Sequence, residues 1–137
     1  MDRHWFKSAF FKIELGEDEA TNPGCYGKHL ANWLGDHFKT LGYTPEVIPE
    51  DWGWCVMCKT QPFSLWVGCG AMSDLEPEGS ELPAPREVTW HCFVVAEVPF
   101  FKKIFGKVDT SADAAKLEQE LTDLLKSTSH IEITEEP

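Results

Sequence analysis

Cys25 and His29 are the first residues whose chemistry and spacing suggest a reactive site. Cys25 follows Asn22-Pro23-Gly24, in which Asn22 suits the N-cap of a helix and Pro23 suits its first turn. Free backbone N–H groups at a helix N-terminus favour the thiolate form of a cysteine. His29 lies one helical turn further on and is the candidate base. The pattern fits a nucleophilic or redox-sensing thiol, but a half-buried structural cysteine is the favoured interpretation.

Four further cysteines have a spacing that can bind zinc. Cys55 and Cys58 form a C-x-x-C pair, as in zinc knuckles and thiol redox motifs, and Cys69 and Cys92 would complete four thiolates. The context opposes both uses, because residues three apart on a strand point to opposite faces and no helix follows the motif. Burial as small hydrophobic side chains is the simpler interpretation. We therefore expect no metal and no other cofactor.

The stretch Glu50-Asp51-Trp52-Gly53-Trp54 is the most distinctive in the chain. Two carboxylates precede two indoles at a strand start, and alternation along that strand would place Trp52 and Trp54 on one face. The acids could bind a cation or a basic group of a partner, and the indoles offer flat apolar area. A solvated acidic turn with packed indoles is the alternative. The sequence contains no glycine-rich phosphate loop, H-E-x-x-H, G-x-S-x-G or EF-hand pattern.

Strands and two amphipathic helices must position these candidates. Strands are expected over residues 5–15, 46–48, 52–59, 63–72, 88–98 and 130–134. The first helix is expected to run from Asn22 to a C′ residue at Gly42, and the second to begin near Thr110 or Ser111. Their apolar stripes comprise Leu30, Trp33, Leu34, Phe38 and Leu41, and then Leu117, Leu121, Leu124 and Leu125. The order β-α-β-β-β-β-α-(β) predicts an α+β fold, an antiparallel sheet of about five strands with two helices on one face.

The length of the chain fits one domain with a real core. It has 137 residues, of which 42% are hydrophobic, and we expect a single domain over residues 1–137. Residues 73–87 predict an acidic, proline-rich loop, and residues 100–107 a basic, aromatic connector. Residues 135–137 are expected to form a frayed tail.

The strands have apolar residues on both faces, although two helices cover only one face. Trp66, Gly68 and Gly70 alternate away from the core side of their strand, as His91 and Phe93 do on theirs. An uncovered aromatic patch of this size is unusual on a monomer. We therefore expect the loop over 73–87, another subunit or a ligand to cover it. A two-sided core closed by the chain's own loops is the simpler alternative.

The charge and the cysteine content limit the classes of function that the chain can have. The chain has 23 acidic and 12 basic residues and a net charge of −11, which opposes binding to nucleic acid or to an anionic membrane. No apolar run reaches the roughly 18–20 residues of a membrane span, and the N-terminus lacks the pattern of a signal peptide. An odd count of 5 cysteines favours free thiols in a reducing cytoplasm.

Part of the chain resembles a small group of uncharacterised bacterial proteins. The resemblance lies in Asn22-Pro23-Gly24-x-x-Gly27, Leu30-Ala31-x-Trp33-Leu34 and Glu50-Asp51-Trp52-Gly53-Trp54. It implies a bacterial cytosolic origin and one compact domain. No activity is assigned to that group, so the resemblance implies no catalytic residues. In size, acidity and tryptophan content the chain is also similar to small bacterial immunity or inhibitor proteins.

Two function classes follow from these observations. The favoured one is a non-enzymatic binding module that docks a basic partner protein, or forms a homodimer, through the second face of its sheet. Its expected anchors are Trp52, Trp54, Trp66 and His91, with Glu50 and Asp51 at the rim. The alternative is a thiol-dependent enzyme or redox sensor that uses Cys25 with His29.

Overall fold

The computed structural model describes residues 3–72, 84–99 and 108–137. Within these residues, six strands form one antiparallel sheet, and two helices pack on one of its faces. The elements are β1 (Arg3–Lys7), α1 (Lys28–Thr40), β2 (Glu46–Glu50), β3 (Gly53–Lys59), β4 (Ser64–Ala71), β5 (Trp90–Glu97), α2 (Ser111–Ser127) and β6 (Glu132–Thr134). The α+β class and the element order are confirmed. The sheet has six strands instead of about five, because the segment before the C-terminus pairs with β1 as β6.

The sheet has the strand order β2-β3-β4-β5-β1-β6. One row of paired residues shows the register: Trp54 lies opposite Cys69, Cys69 opposite Cys92, and Cys92 opposite His4. Paired residues of neighbouring strands point to the same face. Trp54, Cys69 and Cys92 belong to the buried core that includes both helices. This row therefore lies on the helix side of the sheet.

The first strand is shorter than the alternation over residues 5–15 predicts. Its pairing with β5 and β6 ends at Lys7, since the partner strands extend no further. The chain then turns Phe11 into the core against Trp33, with ring centroids 5.1 Å apart, while Leu15 is 83% exposed. Alternation describes a side-chain pattern, but a strand forms only where another strand can pair with it.

Helix α1 begins at Lys28 instead of near Asn22, and a distant carboxylate caps it. Glu17 is only 6% exposed, and its Oε2 accepts the backbone N–H groups of Gly27 at 3.1 Å and Lys28 at 3.0 Å. Its Oε1 accepts the N–H of Glu14 at 2.8 Å. A buried carboxylate at a helix N-terminus satisfies free N–H groups and interacts favourably with the helix dipole. Glu17 therefore has the capping role that Asn22 was expected to have.

The predicted C-terminus of α1 is confirmed. Gly42 has a φ of +98°, and its N–H donates to the carbonyl oxygen of Lys39. The N–H of Tyr43 donates to the carbonyl oxygen of Phe38. These two bonds form the Schellman motif, in which glycine commonly supplies the left-handed residue.

Both predicted helix stripes pack onto the sheet. The fully buried members are Leu30, Leu34, Phe38, Leu117, Leu121 and Leu125, and Trp33 and Leu124 are partly buried. Leu41 is 44% exposed because it already lies at the C-cap, where the chain leaves the helix. Helix α2 begins at Ser111, as expected.

Some predicted segments fall partly outside the described residues. These are residues 73–83 of the expected acidic loop and the whole of the expected connector over 100–107. The end of that loop forms a short 3-10 turn, Pro85–Glu87, and residues 135–137 follow β6 without regular structure. Neither helix of the described chain is long and apolar enough to cross a membrane.

Candidate functional site

The sheet face that points away from α1 and α2, here called the open face, carries large rings beside glycines. Trp66, Gly68 and Gly70 of β4 point to this side, opposite the core residues of the same strand. The register pairs Gly68 with Phe93 and Gly70 with His91. The prediction that these residues share one face is confirmed. Each ring of β5 therefore lies next to a position without a side chain.

Four rings of the open face contact one another and are here called the aromatic cluster: Trp52, Trp66, Phe93 and His91. The Trp52 and Trp66 centroids are 5.6 Å apart with an interplanar angle of 27°. The Phe93 centroid lies 5.8 Å from Trp52, 6.1 Å from Trp66 and 5.7 Å from His91. These distances are typical of interacting aromatic pairs. Trp52 is 42% exposed, so part of its indole surface is available to a partner.

Gly68 allows the aromatic cluster to pack flat on the sheet. A Cβ at this position would lie 2.5 Å from Cζ of Phe93 and 3.0 Å from Cη2 of Trp52. Both distances are below an ordinary van der Waals contact, so the two rings occupy the space of the missing side chain. The glycine in β4 thus determines where Phe93 and Trp52 lie.

The charges at the two sides of the aromatic cluster have opposite signs. The Arg3 guanidinium carbon lies 4.6 Å from the Phe93 centroid, which is a cation–π contact. On the other side, burial and the charges of three carboxylates together raise the pKa of Cys55 to about 12. Two of these carboxylates, Glu46 and Glu50, lie on the edge strand β2 and are here called the acidic edge, whereas the third, Glu97, lies on β5. Because Cys55 pairs with Gly68, the acidic edge borders the aromatic cluster.

His91 belongs to the aromatic cluster as a neutral ring. Burial lowers its pKa, and the positive charge of Arg3 lowers it further. Its Nδ1 is buried and has no hydrogen-bond partner among the described residues. With a pKa below the ordinary value for histidine, His91 is uncharged near neutral pH. It therefore adds apolar area to the open face instead of charge.

Trp52 and Trp54, which were expected on one face, lie on opposite faces. Trp52 belongs to the turn before β3, so the alternation of the strand does not determine its direction. Trp54 points to the helix side and is only 5% exposed. Trp54 is therefore a core residue and does not contribute to the open face. Glu50 and Asp51 are exposed beside Trp52, and the Asn22 amide donates to the Asp51 carbonyl oxygen at 2.7 Å.

The glycines of the two sequence motifs meet at one point next to the open face. A Cβ at Gly27 would lie 2.9 Å from Cα of Gly70, and a Cβ at Gly53 would lie 2.8 Å from the carbonyl oxygen of Cys69. The Ala71 N–H also donates to the carbonyl oxygen of Tyr26 at 2.8 Å. Three backbone segments therefore pack directly on one another, and this junction fixes the turn that carries Trp52.

The geometry around Cys25 and His29 does not support thiol activation. Cys25 lies before α1, and Glu17 takes the N–H groups of Gly27 and Lys28 at the helix start. The His29 Nδ1 accepts the N–H of Lys12 at 2.9 Å. In the neutral imidazole the proton is then on Nε2, so neither nitrogen has a free lone pair to accept a proton from a thiol.

The other cysteines lie on two faces of the sheet. Cys55 points to the open face, whereas Cys58, Cys69 and Cys92 are buried in the core on the helix side. Burial raises the pKa of Cys58 to about 12 and also raises the pKa values of Cys69 and Cys92. In the described part of the chain, no three His, Cys, Asp or Glu side chains are grouped to hold a metal ion.

Sequence reasoning did not single out Arg3, Glu46 or Glu97 as parts of the site. The alternation of β5 places Glu97 on the face of His91 and Phe93, so this residue could have been found. Arg3 and Glu46 lie on strands whose neighbours and register only the structure gives.

Comparison with known proteins gives no match to a protein-family model, a curated protein or a solved structure. The resemblance of residues 22–54 to bacterial proteins therefore stays a prediction, and the functional argument depends on the geometry of the open face.

Proposed function

We propose that this protein is a binding module without catalytic activity, which docks a basic partner protein on its open face. The observation that supports the proposal most is the aromatic cluster, in which four rings contact one another on the face opposite both helices. Tryptophan residues that are packed at the centre of an apolar patch dominate the energy of many interfaces. Trp52, at 42% exposure, would lose the most surface to such a partner.

The charge of the chain favours a basic partner over a second copy of itself. The net charge is −11, so two copies would repel each other at long range, whereas a basic protein would be attracted. The acidic edge would contact the partner directly, because Glu46 and Glu50 are exposed on the strand that borders this side of the open face. Electrostatic complementarity of this kind mainly speeds association and selects the partner.

We assign the module to the bacterial cytoplasm. The assignment is supported by the resemblance of residues 22–54 and by the cysteines, all of which lie in the described residues as free thiols. A thiol-dependent activity of Cys25 is not proposed, because His29 accepts a backbone N–H through Nδ1 and the N–H groups at the start of α1 are occupied.

The test is native mass spectrometry of the protein purified from its own host, as wild type and as Trp66→Ala. We expect the wild type to carry a basic protein and Trp66→Ala to lose it, with binding weakened by about 2 kcal/mol or more, roughly 30-fold. The fold should survive, because Trp66 lies on the open face and is not part of the buried core.

Leu15→Ala is the matched control, since Leu15 is 83% exposed and lies outside the open face. It should keep the partner. A homodimer that dissociates in Trp66→Ala would replace the basic partner with a second copy. A bare wild-type monomer, or a complex that Trp66→Ala leaves intact, would contradict the proposal.

A further inference from the structure

The exposed indole of Trp52 has the properties of a cation-binding surface. One side of its ring stacks on Trp66 at an interplanar angle of 27°, and the side chain is still 42% exposed. The face of an indole attracts cations more strongly than the other aromatic side chains do. The stacking on Trp66 and the contact with Phe93 hold this ring in place, so a ligand would meet a preformed surface.

The aromatic cluster already binds one cation of the chain itself. The Arg3 guanidinium lies over Phe93, on the side of β1. A second cation at Phe93 would be repelled by Arg3, because like charges at contact distance destabilise each other. An incoming cation is therefore directed away from Arg3, across the aromatic cluster and toward Trp52.

The acidic edge lies on that same side of the aromatic cluster. Glu46 pairs with Met57 and Glu50 with Gly53, and both glutamates therefore point to the open face, as Cys55 does. Glu97 also points to this face, but it lies at the far end of β5, opposite Ser64 and away from Glu50. Cys55 pairs with Gly68, against which the Trp52 ring packs. An exposed ring and exposed carboxylates thus border one patch.

The chemistry of this patch selects a guanidinium group. A planar guanidinium can stack on an aromatic face and donate hydrogen bonds in its own plane to carboxylates at the same time. A lysine ammonium is a point charge and has no flat surface for stacking. Building on the proposed function, we infer that the partner is recognised through an arginine side chain that stacks on the Trp52 indole and directs its N–H groups to Glu50.

The test is an NMR titration of the labelled protein with Nα-acetylarginine amide, observed at the tryptophan indole N–H signals. Nα-acetylcitrulline amide is the matched uncharged control, because it keeps the planar shape without the charge. We expect a saturable shift of the Trp52 signal with the arginine probe and little shift with the citrulline probe at equal ionic strength. Trp33, which is partly buried on the helix side, should not respond.

Two variants separate the effect of Glu50 from that of the overall charge. Glu50→Gln should weaken arginine binding about three- to fivefold. Glu136→Gln changes the net charge equally at an exposed position beside α2 and should leave binding unchanged. Equal responses to both probes, or equal binding by both variants, would overturn the inference.

The result is distinguishable from a failure of the proposed function. If binding of the host partner depends on Trp66 while the arginine probe does not bind at Trp52, the open face binds a partner, but not through an arginine on Trp52. If the probe binds at Trp52 and the Trp66→Ala variant keeps the host partner, Trp52 binds arginine but the proposed function is wrong.

Discussion

Replacing Gly53 with alanine is expected to lower the free energy of unfolding by about 3–5 kcal/mol, because backbone strain and steric overlap add. Gly53 has a φ of +153°, which side-chain-bearing residues rarely adopt. A Cβ would also lie 2.8 Å from the carbonyl oxygen of Cys69, a backbone atom within β4. Relief of the overlap would have to move the pairing of β3 with β4. Urea denaturation measures the change.

Gly42→Ala is the control that isolates the backbone contribution. Gly42 also has a positive φ, +98°, but no heavy atom of the described residues would lie within 4 Å of its Cβ. We expect this variant to lower the free energy of unfolding by about 1–2 kcal/mol. Equal losses in Gly42→Ala and Gly53→Ala would show that the glycine junction is not tightly packed, and would contradict this part of the account.

Removal of the Glu17 side chain is expected to destabilise the protein by about 3 kcal/mol, because three backbone N–H groups lose their acceptor. The N–H groups belong to Glu14, Gly27 and Lys28, and the carboxylate lies in a site that is 6% exposed. The start of α1 would lose its cap, and the segment before it would lose its attachment to the helix. Thermal or urea unfolding of Glu17→Ala measures the effect.

Glu19→Ala is the matched control in the same 3-10 turn. Glu19 is exposed, and its replacement should change the stability by no more than about 0.5 kcal/mol. The stability of Glu17→Gln should lie between those of Glu17→Ala and Glu19→Ala, because an amide offers one acceptor oxygen in place of two. If Glu17→Ala is no less stable than Glu19→Ala, the buried carboxylate does not hold the helix start.

The open face could be predicted from the sequence because alternation along β4 and β5 is strict. Trp66, His91 and Phe93 each follow the two-residue period of their strand, and the apolar residues at the alternate positions form the core. Trp52 could not be placed in this way. It precedes β3 in a turn, where the direction of a side chain depends on the turn and not on a period.

The start of α1 could not be predicted because its cap is distant in sequence. Asn22 has the residue type of an N-cap, but its amide binds the Asp51 carbonyl oxygen instead. The actual cap, Glu17, lies ten residues before Gly27 and leaves no local pattern. In the same way, the alternation over residues 5–15 gave no information on which strand would pair with this segment, and only its residues 5–7 pair with β5 or β6.

The central claim, that the open face is the binding surface, is tested most directly by hydroxyl-radical footprinting of the host-purified complex and of the free protein. We predict that oxidation of Trp52, Trp66 and Phe93 falls severalfold in the complex. Phe10 should react equally in both samples, since it is 44% exposed and packs against His29 and His130 on the other side of the molecule. Protection of Phe10 with unchanged oxidation of Trp52 would contradict the claim.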